Sequence, residues 1–217
     1  MVLNGMLAFL KKHLGGIYLP REYWEQRGVG YAQEVKEARF KEHVTPMHYS
    51  VLSRMLEKVK PRVILEIGCG TGRFFKLYSK FSKKIIASDI STSMLRHARN
   101  EAVRLGIDVD LVCASATHLP FKDKIADCIV TAEVLMHVPY ADIGNAISAL
   151  ARVSDNAVVL EFYIPRDDEN ASKLKEQLES YNFLHDYPAI FKEANMTIVE
   201  KHELKELRQT CFLLKSP

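Results

Sequence analysis

The chain has 217 residues, 47% hydrophobic and 26% charged, with a formal net charge of +3. That apolar content supports one domain with a sizeable core and argues against disorder. The positive excess is interspersed with acids, so no basic stripe marks a nucleic-acid surface, and no apolar run approaches the ~18 residues of a membrane span.

In chain order, Met1–Leu10 is apolar, but its lysines follow the apolar part, the reverse of a secretory signal. Cys69, Cys113, Cys128 and Cys211 have no metal-ligand spacing. The expectation is therefore a cytoplasmic chain with reduced, buried thiols and no metal. Residues 1–60 read as a helical N-terminal extension or lid. Met6, Leu7, Phe9, Leu10 and Leu14 line one helix face that ends at Gly15-Gly16. Leu19 to Trp24 reads as an aromatic turn, and Gly28 and Gly30 as breaks before a helix over 31–42. Pro46 suits the first turn of a helix running to about Lys58, which Pro61 ends.

From residue 61 the pattern alternates. Strands are expected at 62–67, 84–88, 109–113, 126–131 and 157–163, all short apolar runs of the kind buried on both faces of a parallel sheet. Between them lie helical stripes. Phe74, Phe75, Leu77, Tyr78 and Phe81 form one; Met94, Leu95, Ala98, Ala102 and Leu105, capped by Ser91 or Ser93 and stopped by Gly106, form the next; Ile143, Ala146, Ile147 and Leu150 form the third. Such alternation implies a parallel sheet with right-handed crossovers. The end differs. After a surface helix over 171–183 and a short one over 188–194, with Asn195 suited to a left-handed cap, strands at 196–202 and 207–214 are joined by too few residues for a crossover. They should form a hairpin, so the sheet ends with one antiparallel strand.

The most informative stretch is Val63-Ile64-Leu65-Glu66-Ile67-Gly68-Cys69-Gly70-Thr71-Gly72. A buried strand feeding a glycine turn and a helix is how doubly wound folds build a nucleotide site. Glycine admits close backbone approach to a ligand. A carboxylate two residues before the first glycine gives a pyrophosphate nothing, but suits a ligand carrying an ammonium and a sulfonium. Asp89, seventeen residues after Gly72, closes the second strand, where a carboxylate can accept hydrogen bonds from both ribose hydroxyls.

Glu66-x-Gly68-x-Gly70-x-Gly72, the acid at the end of strand two and the terminal hairpin together resemble the class I S-adenosylmethionine-dependent methyltransferases of the small-molecule type. The likeness covers roughly residues 45–217, with 61–217 as the cofactor-binding domain. It implies a Rossmann-like, seven-stranded, mostly parallel sheet whose last strand is antiparallel, with helices on both faces. It further implies that Gly68 and Gly70 approach the methionine part of S-adenosylmethionine, that Glu66 holds its amino group and Asp89 its ribose, and that Ile90 lies against adenine.

Cys113-Ala114-Ser115-Ala116-Thr117-His118-Leu119-Pro120-Phe121 resembles the family's Gly-Asp-Ala-x-x-Leu-Pro-Phe stretch. Ser115 replaces the aspartate that meets the adenine amino group, a weaker acceptor than a carboxylate; Ala116 matches. In the fourth-strand segment, Thr131 and Glu133 are expected beside the methionine end of the cofactor. His137 is the candidate general base at the active-site mouth; the other reading is a histidine that orients the loop. Tyr23, with Trp24, resembles aromatic segments that fold over the cofactor in some relatives, and Tyr23, His185 and Tyr187 are the candidate substrate-binding residues. Thr131-Ala132-Glu133-Val134 is not the Asn/Asp-Pro-Pro-Tyr/Phe stretch of adenine and glutamine-amide N-methyltransferases. The implied activity is methyl transfer to an O, N or C nucleophile of a small molecule. The rival readings are a non-catalytic S-adenosylmethionine-binding protein and a nicotinamide-dependent oxidoreductase, whose glycine spacing would be Gly-x-Gly-x-x-Gly.

Overall fold

The computed structural model describes residues 18–37, 44–165 and 181–216. Two helices precede the sheet, α1 (Pro20–Glu37) and α2 (Val44–Val59). Then follow β1 (Val63–Ile67), α3 (Phe75–Tyr78), β2 (Lys84–Asp89), α4 (Thr92–Leu105), β3 (Val109–Cys113) and β4 (Cys128–Ala132). The chain closes with α5 (Ile143–Val153), β5 (Asn156–Phe162), α6 (Tyr187–Glu193), β6 (Thr197–Leu204) and β7 (Gln209–Lys215). The sheet order is β3-β2-β1-β4-β5-β7-β6. β1 to β5 pair in parallel, while β7 runs antiparallel to both β5 and β6. The seven-stranded sheet with a reversed last strand is thus as expected.

Alternation along the buried strands feeds two cores. Ile64, Val130, Val158 and Leu213 face one side, packed with Leu52, Met55 and Leu56 of α2 and with Tyr78. Leu65, Ile129, Val159 and Phe212 face the other, packed with Ile147 and Leu150 of α5 and Phe191 of α6. Both faces exclude water, which is why these strands read as continuous apolar runs.

Several local expectations are corrected. Leu19 to Trp24 is not a turn: α1 begins at Pro20, a position where the missing N–H costs nothing. α1 also runs through Gly28 and Gly30. Gly28 lies against α4 so closely that a Cβ would stand 2.2 Å from Ser93 Oγ, so the glycine serves helix packing. The stripe Phe74–Phe81 folds as one helical turn, Phe75–Tyr78, flanked by tight turns. Cys113 is exposed, unlike the three buried thiols, because the edge strand β3 leaves it open. The expected helix over Met6–Leu14 and most of that over 171–183 lie outside the described residues; Tyr181 to Phe183 is not helical.

The capping residues behave as their chemistry dictates. Ser91 Oγ accepts from Met94 N at the start of α4, and Gly106 ends that helix at φ 67°. Asn195 adopts φ 56° after α6.

Candidate active site

The C-terminal ends of β1, β2 and β4 open into a cavity of about 460 Å³, within the range of about 300–1,000 Å³ usual for small-molecule sites. The place follows from topology: β1 lies between β2 and β4, so the chain leaves it toward one side and returns on the other.

The glycine turn forms one wall. Gly68 has φ 69°, and a Cβ there would lie 2.5 Å from Val134 Cγ2, so the loop passes too close to the β4 segment for any side chain. Gly70 has φ 53° and nothing within 4 Å of its Cβ position, which leaves a bare backbone cradle. Gly70 N donates to Asp89 Oδ2 (2.9 Å) and Ser91 N to Asp89 Oδ1 (2.9 Å). Asp89 therefore ties the ends of β1 and β2 together while still lining the cavity. Burial raises its pKa, against the pull of those N–H donors. Ile90 N–H also acts on this carboxylate, which still has acceptor capacity beyond its backbone donors.

Glu66 is 2% exposed. Tyr78 Oη donates to Glu66 Oε1 (2.9 Å), but Oε2 is buried on the cavity wall with no partner among the described residues. Burial pushes the Glu66 pKa up to about 8, with Tyr78 and Arg73 opposing. Ile90, Ser115 and Ala116 also line the cavity. Ser115 Oγ already shares a hydrogen bond with the Thr117 hydroxyl (2.8 Å).

At the end of β4 the expected pair separates. Thr131 lies beneath the wall, fully buried with its hydroxyl unpartnered among the described residues, whereas Glu133 reaches the cavity at φ 60°. The Glu133 carboxylate is held from two sides: Arg73 Nη2 donates to Oε2 (2.7 Å) and Gln209 Nε2 to Oε1 (2.8 Å). His48 Nε2, fully buried, donates to Gln209 Oε1 (2.6 Å). Burial alone would raise the Glu133 pKa, but Arg73 and His48 outweigh it and hold the carboxyl below its usual value.

The short turn Leu135–His137 follows. The buried Glu161 at the end of β5 fixes it, accepting from Val134 N (2.9 Å), Leu135 N (2.8 Å) and Met136 N (3.2 Å). His137 then lines the cavity with Nδ1 donating to Tyr181 O (3.0 Å). A carbonyl only accepts, so Nδ1 carries the hydrogen and Nε2 the lone pair. Burial lowers the His137 pKa to about 4, leaving the ring neutral.

Of the expected substrate residues, none lines the cavity. Tyr23 stands behind the wall, its ring 5.1 Å from Trp24 and 4.6 Å from Tyr181. His185 is buried with Nε2 donating to Val138 O (2.9 Å), and Tyr187 is fully buried in the α6 core. The wall is instead Tyr18, Trp24, Met136, Tyr181 and Asn182. Arg73 was the findable omission, since a cation directly after the glycine turn must lie beside any ligand there. Tyr181 and Asn182 sit in an irregular segment whose placement no periodicity reveals. Among the described residues no cluster of His, Cys, Asp and Glu could hold a metal, and no helix is long and apolar enough to cross a membrane.

Residues 64–156 match the family model described as a methyltransferase domain. An uncharacterized protein of Methanocaldococcus jannaschii is 32% identical over 51% of this chain and 45% of its own length. A ubiquinone/menaquinone biosynthesis C-methyltransferase of Pseudomonas paraeruginosa is 32% identical over 55% of this chain and 48% of its own. The chain thus spans about half the length of these curated relatives. Among solved structures, magnesium protoporphyrin IX methyltransferase of Synechocystis with bound S-adenosylhomocysteine has a TM-score of 0.73 at 16% identity, covering 91% of this chain and 98% of that one. An S-adenosylmethionine-dependent methyltransferase of Clostridium acetobutylicum has a TM-score of 0.70 at 13% identity, covering 86% and 97%. The fold is the Rossmann-like one of these methyltransferases.

Proposed function

We infer that this chain is a class I S-adenosylmethionine-dependent methyltransferase acting on a small molecule. The observation that carries the reading is the unpartnered Glu66 Oε2, buried on the cavity wall within reach of a bare glycine cradle. A bound ammonium would favour the ionised carboxyl and supply the donor that oxygen lacks. The donor set fits S-adenosylmethionine: Glu66 for the amino group, Gly68 and Gly70 for close backbone approach, Asp89 for the ribose hydroxyls, and Ile90, Ser115 and Ala116 around the base.

S-adenosylmethionine supplies a methyl carbon already activated by a sulfonium. The residues of this chain then orient, exclude water and take a proton. His137 is neutral and its Nε2 makes no hydrogen bond among the described residues, so it can accept a proton from an acceptor hydroxyl or amine. Glu161 positions it by fixing the preceding turn. The aromatic side chains at the mouth and the interspersed charges of the sequence favour a small acceptor over RNA or protein.

Incubation with S-adenosylmethionine carrying a labelled methyl group, against separated metabolite, RNA and protein pools, tests the reading. Label is expected in the metabolite pool. Label confined to RNA or protein overturns the acceptor class, and tight cofactor binding with no transfer to any pool favours a binding protein instead.

A further inference from the structure

The cavity has two chemically distinct halves. The polar half, around Glu66, Gly70 and Asp89, is assigned above. The other half is apolar and aromatic, built by three separate stretches: Tyr18 and Trp24, Met136 to Pro139, and Tyr181-Asn182. Its rings lock one another. Trp24 stands edge-on to His137 at 4.8 Å and 67°, and to Tyr23 at 5.1 Å and 88°. Tyr181 packs 5.9 Å from His137 and 6.4 Å from Tyr18. Edge-to-face arrays are favoured by the ring quadrupole. Held this way, the wall has little rotamer entropy left to lose on binding.

The polar tips of this wall are mostly used internally. Trp24 Nε1 donates to Tyr18 Oη (3.2 Å), and His137 Nδ1 donates to Tyr181 O. Two acceptors are left over. Among the described residues, His137 Nε2 makes no hydrogen bond and Asn182 Oδ1 is buried with no partner. Both call for a ligand that donates. The wall carries both signs of charge: Glu133 is paired with Arg73, and Arg27 and Asp142 also line the cavity. A cationic acceptor would meet Arg27, and an anionic one Asp142 and the His137 lone pair.

We propose that the methyl acceptor is a neutral, planar phenol-type ring, held against Trp24, Tyr18 and Tyr181 with its hydroxyl donated to His137 Nε2. This rests on the methyltransferase reading above. In the transfer, the hydroxyl proton passes to His137 Nε2 and the oxygen lone pair forms the O–CH₃ bond. The electron pair of the breaking S–CH₃ bond stays on sulfur, and the imidazolium then loses its proton to water. Atoms and charge balance, with S-adenosylhomocysteine and an aryl methyl ether as products. His137 is the catalytic residue in this scheme, and Asn182 selects for a donor on the ring.

The test is calorimetric titration of the protein saturated with S-adenosylhomocysteine. The probes are 2-naphthol, its ring-saturated counterpart decahydro-2-naphthol, and the cationic 2-naphthylmethylammonium. The expected result is saturable one-site binding of 2-naphthol, at least tenfold tighter than either other probe. Trp24→Leu should weaken it at least tenfold. With S-adenosylmethionine, 2-methoxynaphthalene should form at a rate that His137→Ala lowers at least a hundredfold. Equal or tighter binding of the saturated or cationic probe, or no binding of 2-naphthol to the loaded protein, overturns the proposal while the cofactor reading stands. Failure of S-adenosylhomocysteine itself to bind overturns both.

Discussion

At the residue scale, Glu66 and His137 carry opposite electrostatic signatures, both caused by burial. Burial raises the Glu66 carboxyl to about 8 from an ordinary 4.5, so it is mostly protonated at neutral pH. Its contribution to stability is therefore full below about pH 4.5 and is lost as pH rises through about 8. A ligand ammonium favours the ionised form, so binding at pH 7 should release a proton. Titrating S-adenosylhomocysteine at pH 7 in buffers of different ionisation enthalpy should show a release approaching one proton, absent in Glu66→Gln. A binding enthalpy independent of buffer contradicts this. His137 has the reverse shift, down to about 4. On the proposal that His137 is the base, it stays neutral throughout the neutral range, and the acid limb of kcat against pH should fall near 4, not near the free imidazole value of ~6.5. That Glu66, Gly68, Gly70 and Asp89 converge on one cavity was legible because their spacing follows from strand and turn geometry. It misplaced Tyr187 and His185 because a polar-aromatic cluster looks the same whether it lines a cavity or fills a core.

At the element scale, α1 is fastened to the start of α4. Glu25 accepts from the Ser91 hydroxyl (2.9 Å), the Thr92 hydroxyl (2.8 Å) and Ser93 N (3.2 Å), next to the Ile90 wall of the cavity. An acid at a helix N-terminus also gains from the macrodipole. These bonds, and the Gly28–Ser93 approach, explain why α1 survives two internal glycines that read as breaks. A helix glycine costs about 1 kcal/mol relative to alanine, yet Gly28→Ala should destabilise the fold, since its Cβ would collide with Ser93 Oγ, itself bound to Glu25 O. The expected outcome for Gly28→Ala and Glu25→Ala is faster amide hydrogen exchange confined to α1 and the first turn of α4. Exchange unchanged from the parent contradicts the fastening role.

At the scale of the whole molecule, the sheet places the site, and its topology was legible because buried parallel strands and a short terminal link have few alternatives. The layout of the aromatic mouth was not, since it depends on how 18–24, 136–139 and 181–182 converge in space. Phe212 of β7, fully buried between Tyr163, Tyr187 and Phe191, joins the reversed strand to the α6 layer. Phe212→Ala should lower unfolding stability by about 3–5 kcal/mol in denaturant titration, as for other buried phenylalanines. The most direct measurement of the central claim is calorimetric titration of S-adenosylmethionine into the parent and into Asp89→Ala. One-site saturable binding to the parent, at least tenfold weaker in the variant while NADH binds to neither, is the result the account predicts. No binding of S-adenosylmethionine to the parent, or equal binding to both proteins, contradicts it.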